Sequence, residues 1–466
     1  MTTKSVLSLL LALGAIVPLQ AQQFTTIYSF GAPGTPANPT VSGTISQTPG
    51  GNLISSAVGN IQGVHGAAYE ISLSGNLTVL QYFDQLAYPF PFSGLTLGTD
   101  ERFHGAIAWG GKYGDGAVYR ISPAPFSEVI YEHDFSGGLD GSYPTAPPIQ
   151  SMAGDFYGTS SGDSNSGQGN NGTVYKITKD EVYSVLHSFS GTDGANPVAP
   201  LVQSSDGSFY GTTQNGGQYG QGTVFRINSD GSFKMLHQFN GTDGSQPDGP
   251  LIVGSDGSLY GTTQGGGQGL GVAFKITPGG TFTQLHKFDG AEGAYPYGGL
   301  VQATDGNFYG ALYSGGSGDW GTLFKLTPGG VCTKIHDFNG GSDGIEPMGT
   351  LLQHTNGKLY GQAYLGGRYG GGTMFEVDAG LPPFVTYLNV YGVVGARVVI
   401  LGQGFVDGLS LVAFNGVPAT DVEINPTYIK ATVPEGATTG PITVTTGLVT
   451  LKSNTPFVVH QAAAGE

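Results

Sequence analysis

Histidines and carboxylates recur in step along this chain. His133, His187, His237, His286 and His336 follow one another at spacings of 54, 50, 49 and 50 residues, each two positions before a phenylalanine. A short way downstream of each stands Asp140, Asp193, Asp243, Glu292 or Asp343, always followed by glycine. Imidazole with carboxylate is the donor set of a metal centre and the pairing of acid–base catalysis. The period argues against both, because ligands to one ion must converge and one histidine per repeat is spread around whatever the repeats build. The expected role is a histidine packed between neighbouring repeats, with each Asp-Gly acting as a self-capped turn. A calcium rim would need denser oxygen ligands than one carboxylate per repeat, so no metal site is assigned.

A second set of residues carries a different chemistry. Tyr113, Tyr219, Trp320 and Tyr369, with Leu270 at the same register, lie in glycine-rich loops. Rings exposed there would offer flat apolar faces with polar handles, suited to stacking on neutral sugars. The competing reading folds the rings back as plugs between repeats. The loops hold Gly-Gly pairs but no following Lys-Ser/Thr and no helix, so they are not phosphate loops. Asp100, Glu101, Arg102 and His104 are the residues a hydrolase or lyase would use, since they fall in a less regular copy of the repeat. The regular copies are nearly interchangeable, whereas catalysis needs asymmetric convergence. No catalytic residue and no cofactor are therefore assigned.

The elements that hold these residues follow from one repeat, 200–239. Pro200-Leu-Val-Gln-Ser is a short apolar run, and Asp206-Gly207 a hairpin turn into Phe209-Tyr-Gly-Thr-Thr213. A glycine-rich loop leads to Gly222-Thr-Val-Phe-Arg-Ile227, and Asp230-Gly231 turns the chain into Phe233-Lys-Met-Leu-His-Gln-Phe239. Strict alternation in that last strand puts Phe233, Met235, His237 and Phe239 on one face. Four antiparallel strands per repeat is the plan of a propeller blade. Clear copies begin near Pro148, Pro200, Pro250, Gly299 and Thr350, and two diverged copies span 40–83 and 94–135. The seventh lacks its last strand, and Thr25-Thr-Ile-Tyr-Ser-Phe30 has the matching pattern. The expected architecture is all-β: a seven-bladed β-propeller over 22–380, closed by an N-terminal strand.

The marks D-G-x-[FL]-Y-G, G-T-x-[FY]-[KR]-[IL] and L-H-x-F make the tandem units resemble the Gloeo_Verruco repeat of exported bacterial proteins. After a Leu381-Pro-Pro383 linker the period stops. Val398–Phe405, 411–416, 429–434, 441–444 and 456–459 read as strands between Gly, Pro and Asn turns, the pattern of a β-sandwich. G-x-G-F, F-N-G and V-P make 384–460 resemble an IPT/TIG domain, which implies an immunoglobulin-like fold serving as spacer or adhesive module, before a tail at 461–466.

Composition sets the remaining limits. Lys4, the apolar run Val6 to Val17, Pro18 and Leu19-Gln-Ala21 read as a secretory signal peptide over 1–21, which places the mature protein outside the cell or on its surface. No later stretch is long and apolar enough for a transmembrane helix. The single Cys332 allows no intrachain disulfide and reads as a small buried hydrophobe. With 17 basic against 33 acidic residues, nucleic acid and anionic surfaces are excluded as partners, and a neutral polysaccharide or cell-surface partner remains. A monomer is expected. These readings favour a non-catalytic binding or surface-interaction protein over a polysaccharide hydrolase or lyase.

Overall fold

The computed structural model describes residues 22–39, 44–59, 66–83, 91–123, 128–162, 170–388 and 391–460. The leader segment 1–21 and the tail 461–466 lie outside them. Every regular element among the described residues is a β-strand. Residues 23–378 form seven four-stranded antiparallel sheets, here I to VII in chain order. Their innermost strands are Ser46–Gln47, Thr96–Leu97, Ile149–Gln150, Val202–Gln203, Ile252–Val253, Val301–Gln302 and Leu352–Gln353. Four-stranded sheets of this kind are consistent with propeller blades.

Sheet IV shows why the repeat is spelled as it is. Phe209–Thr213 pairs with Thr223–Ile227, placing Gly211 opposite Phe225. A Cβ on Gly211 would lie 2.6 Å from the Phe225 ring, so the glycine of the Tyr-Gly pair makes room for the aromatic across the sheet. The outer strand Phe233–Gln238 has a bulge at Leu236, between the pairs Phe225↔Met235 and Val224↔His237. This corrects the expectation of strict alternation. The extra residue reverses the facing of the rest of the strand, so Phe233 packs towards sheet III while His237 and Phe239 pack towards sheet V.

Seven apolar clusters bridge successive pairs of sheets, and one of them joins Tyr360 and Met374 of sheet VII to Leu53, Tyr69 and Ile71 of sheet I. The fourth strand of sheet VII is Gln23–Ser29, antiparallel to Thr373–Asp378 with Thr26 opposite Phe375 and Tyr28 opposite Met374. The terminal pattern match is thus a strand pairing. Closure is repeated near the axis by glutamines. Gln150, Gln203, Gln302 and Gln353 each accept a bond from a backbone N–H in the turn of the preceding sheet, at 2.7–3.0 Å. Gln47 does the same to Thr355 at 3.1 Å, sheet I reaching sheet VII.

Beyond residue 384, two four-stranded sheets share one core containing Val398, Ile400, Phe414, Ile429, Val444 and Phe457. This module is seated on the sheets that precede it. Thr427 Oγ1 donates to Pro49 O at 2.7 Å, Gln403 Nε2 to Thr355 Oγ1 at 3.3 Å, and Lys430 pairs with Glu101. The expected linker is packed as well: Leu381 joins the core between sheets VI and VII, and its carbonyl crowds Gly357. A cavity of ≈ 320 Å³ lies between the inner strands and the module, lined by Gln47, Leu97, Val301, Leu352, Phe384 and Tyr387 among others.

Candidate functional site

The module contacts the face formed by the hairpin turns after the inner strands, at Pro49, Glu101 and Thr355. The opposite face carries the glycine-rich loops and the connections from one sheet to the next. These touch directly: Ala195, Ser245, Ala294 and Ile345 form isolated bridges to Asn215, Gly265, Ser314 and Leu365. The module contacts the turn face near the axis and leaves the loop face uncontacted by it.

The four candidate rings stand on that loop face. Tyr113, Tyr219, Trp320 and Tyr369 are 55%, 53%, 41% and 46% exposed. Trp320 rests one side on Gly340, while Lys112 and Arg368 lie 5.0 and 5.3 Å from the ring centres of Tyr113 and Tyr369. The aliphatic Leu270 is partly buried in the core between sheets V and VI.

The periodic histidines occupy the outer junctions. His133, His187, His237 and His336 stack on Tyr183, Phe233, Phe282 and Phe24 of the following sheet, 3.6–4.0 Å away and within 5° of parallel. Each points Nε2 at its repeat carboxylate, 2.9–3.3 Å away. Burial lowers the pKa of His133, His237 and His336 although the carboxylates pull the other way, so these imidazoles are neutral spacers near pH 7. Asp140, Asp193, Asp243 and Asp343 also cap their own turns, accepting from backbone N–H groups three or four residues back at 2.8–3.1 Å. The fifth pair, His286 with Glu292, has a cysteine where the others have a ring.

Asp100, Glu101 and His104 lie on the covered turn face. His104 replaces the tyrosine of the Tyr-Gly pair, is 1% exposed, and sits between Asp100 and Glu132 at 3.2 Å each. Arg120 links Glu132 to Glu181 of sheet III at 3.1 and 2.6 Å. Burial disfavours the imidazolium of His104, but its two carboxylate bonds outweigh that and raise its pKa. Glu101 is taken by Lys430, and Arg102 adds its charge beside Asp100. The network ties two sheets together.

Sequence reasoning missed a polar and aromatic cluster at the inner part of the loop face. In six sheet-to-sheet connections a non-glycine residue adopts left-handed backbone: Asn38, Tyr143, Asn196, Gln246, Tyr295 and Glu346, with φ of 54–60°. Strain of this kind persists where the surroundings hold it and clusters at working sites. The backbone bonds around these positions repeat; the side chains do not. Next to them Gln214 Nε2 donates to Asp248 Oδ1 at 2.8 Å, Gln264 bonds Tyr297, and Tyr297 meets Tyr313 edge-on at 5.2 Å. Phe92, Trp109 and Tyr143 form an aromatic run of their own, with ring centres 5.5 and 6.1 Å apart. Burial pushes the Asp248 carboxyl up to about 7, partly offset by the Gln214 amide. Burial, then the charges of Asp248 and Glu346, raise the Tyr297 hydroxyl, and Glu346 acts likewise on Tyr313 and Tyr364. The signal that would have exposed the cluster is variation itself: these registers differ among copies otherwise spelled alike.

The Gloeobacter/Verrucomicrobia repeat family matches residues 268–400. No curated protein matches the chain in sequence. Among solved structures, the chain is similar to a fungal alcohol oxidase in complex with copper (14% identity, TM-score 0.48, covering 91% of this chain and 99% of that one). It is also similar to puromycin hydrolase (12%, 0.47, 84% and 55%) and to a luciferin-regenerating enzyme (12%, 0.40, 75% and 94%). Likeness at this level carries no argument about activity.

Proposed function

We propose that the protein is an exported binding or surface-interaction protein that recognises neutral glycans on its loop face. In this reading the seven sheets are the blades of a seven-bladed propeller, and 384–460 is an immunoglobulin-like domain of IPT/TIG type that covers the opposite face. The observation that carries it is the exposure of Tyr113, Tyr219, Trp320 and Tyr369 on one face of an acidic protein. Aromatic faces gain from the C–H faces of sugars, which need no cationic partner. The leader segment supports a secreted or cell-surface location. A glycan array with the wild type and a Tyr219→Ala/Trp320→Ala/Tyr369→Ala variant tests the reading: the wild type should bind a subset of neutral glycans and the variant at least about tenfold more weakly. Equal binding by both, or none by either, removes it.

A second reading, a polysaccharide hydrolase or lyase, is favoured by one observation. Asp248 has a carboxyl raised to about 7 close to Tyr297, which also feels Glu346. Carboxyl groups in unlike environments are how one site holds an acid beside a base. Under this reading plant or microbial polysaccharides yield new reducing ends or unsaturated products, Asp248→Asn abolishes that release, and the rate falls as pH rises through about 7. Release by Asp248→Asn at the wild-type rate would rule out the assignment.

A further inference from the structure

The junction of sheets V and VI breaks the pattern of the other histidine junctions. Where Tyr183, Phe233, Phe282 and Phe24 stack on a histidine of the preceding sheet, the same register holds Cys332, opposite Leu326 as Phe233 is opposite Ile227. Its neighbour His286 therefore faces a thiol. One ligand atom each from His286, Glu292 and Cys332 lies within 4.8 Å of the other two. The His286–Glu292 contact, 3.5 Å, is the longest of the five histidine–carboxylate pairs. His286 Nε2 and Glu292 Oε2 are buried without a hydrogen-bond partner, a state that His133, His237 and His336 Nε2 share, so what sets this junction apart is the thiol beside the pair.

We infer that His286, Glu292 and Cys332 form a binding site for a divalent transition-metal ion, zinc foremost, that joins sheets V and VI where the aromatic stack is missing. Nitrogen, oxygen and sulfur donors together suit zinc, with bonds of roughly 2.0–2.3 Å. Tetrahedral bonds of that length set ligand atoms roughly 3.3–3.8 Å apart, so the trio must close by about an ångström, within reach of side-chain rotation. Three protein ligands leave the fourth position to water. Convergence across the ring is ruled out by its size, but here it is achieved between adjacent outer strands, Phe282–Lys287 and Cys332–Asp337. The ion must displace the thiol proton of Cys332, so affinity rises with pH.

The test uses the full mature chain, free of any histidine tag and stripped with chelator. Zinc titrated by calorimetry should bind one equivalent, more tightly at pH 8 than at pH 6, and cobalt should give a thiolate-to-metal absorption band. Cys332→Phe installs the ring used at the other junctions. It should fold with an equal or higher Tm, bind zinc at least about tenfold more weakly, and lose both the cobalt band and the zinc-induced rise in Tm. Should that variant fail to fold, Cys332→Ser and Glu292→Gln carry the same expectations for binding. Equal zinc affinity in wild type and variants, or no stoichiometric binding by the wild type at either pH, overturns the site.

Discussion

Deleting residues 23–30 from the mature chain should abolish cooperative folding near body temperature, or lower stability by more than about 5 kcal/mol, a large share of what a domain possesses. The segment supplies the whole fourth strand of sheet VII, from Gln23 opposite Asp378 to Ser29 opposite Thr373. Phe24 stacks on His336 at 3.9 Å and lies 5.1 Å from Phe375. Phe30 is fully buried in the cluster between sheets VII and I. Its loss removes an aromatic anchor from two junctions and leaves Thr373–Asp378 as an open edge, prone to pairing with other chains. Thermal unfolding followed by circular dichroism gives the outcome, and a synthetic 22–31 peptide added in trans should restore part of the loss. An unchanged Tm would mean that the strand is not part of the closure.

The second large effect concerns the ionic network of sheet II. Glu132 occupies the register of Leu186, Leu236 and Leu285, and His104 that of Tyr157 and Tyr210. Glu132→Leu alone should cost about 3–5 kcal/mol, because His104 and Arg120 lose a buried partner. The double variant His104→Tyr/Glu132→Leu restores both apolar registers and should be near neutral, or more stable by up to about 4 kcal/mol. The variants also differ in pH response. Since the folded pKa of His104 is raised above 6.5, its stabilisation is fully present below that pH and fades as pH rises through the folded value. The double variant should lack this dependence. Denaturant titrations between pH 5 and 9 separate the cases; a double variant as damaged as the single one would contradict the exchange.

These contrasts mark what the chain discloses on reading. The His-x-Phe period announces a histidine between repeats because the same packing problem is solved in the same way at four junctions. The orphan strand Thr25–Phe30 is legible because one copy visibly lacks its mate. The bulge at Leu236 is hidden, since the letters Phe-Lys-Met-Leu-His alternate acceptably without it. Glu132 with His104, and Cys332 with Glu292, are single letters at odds with their register. Their meaning depends on partners in another strand, in the second case across a sheet boundary. The inner cluster with Asp248, Tyr297 and Glu346 is hardest to see, because loop residues freed from the repeat carry no periodic mark.

The chain has two tryptophans, Trp109 and Trp320, each 41% exposed and both in loops of the open face. Tryptophan emission, excited beyond the absorption band of the 24 tyrosines, therefore reports on that face. Titration with the best neutral oligosaccharide from the array should give a saturable change in emission, diminished in Trp320→Ala. Saturable sugar binding by calorimetry with no change in either tryptophan would contradict recognition at the loop face.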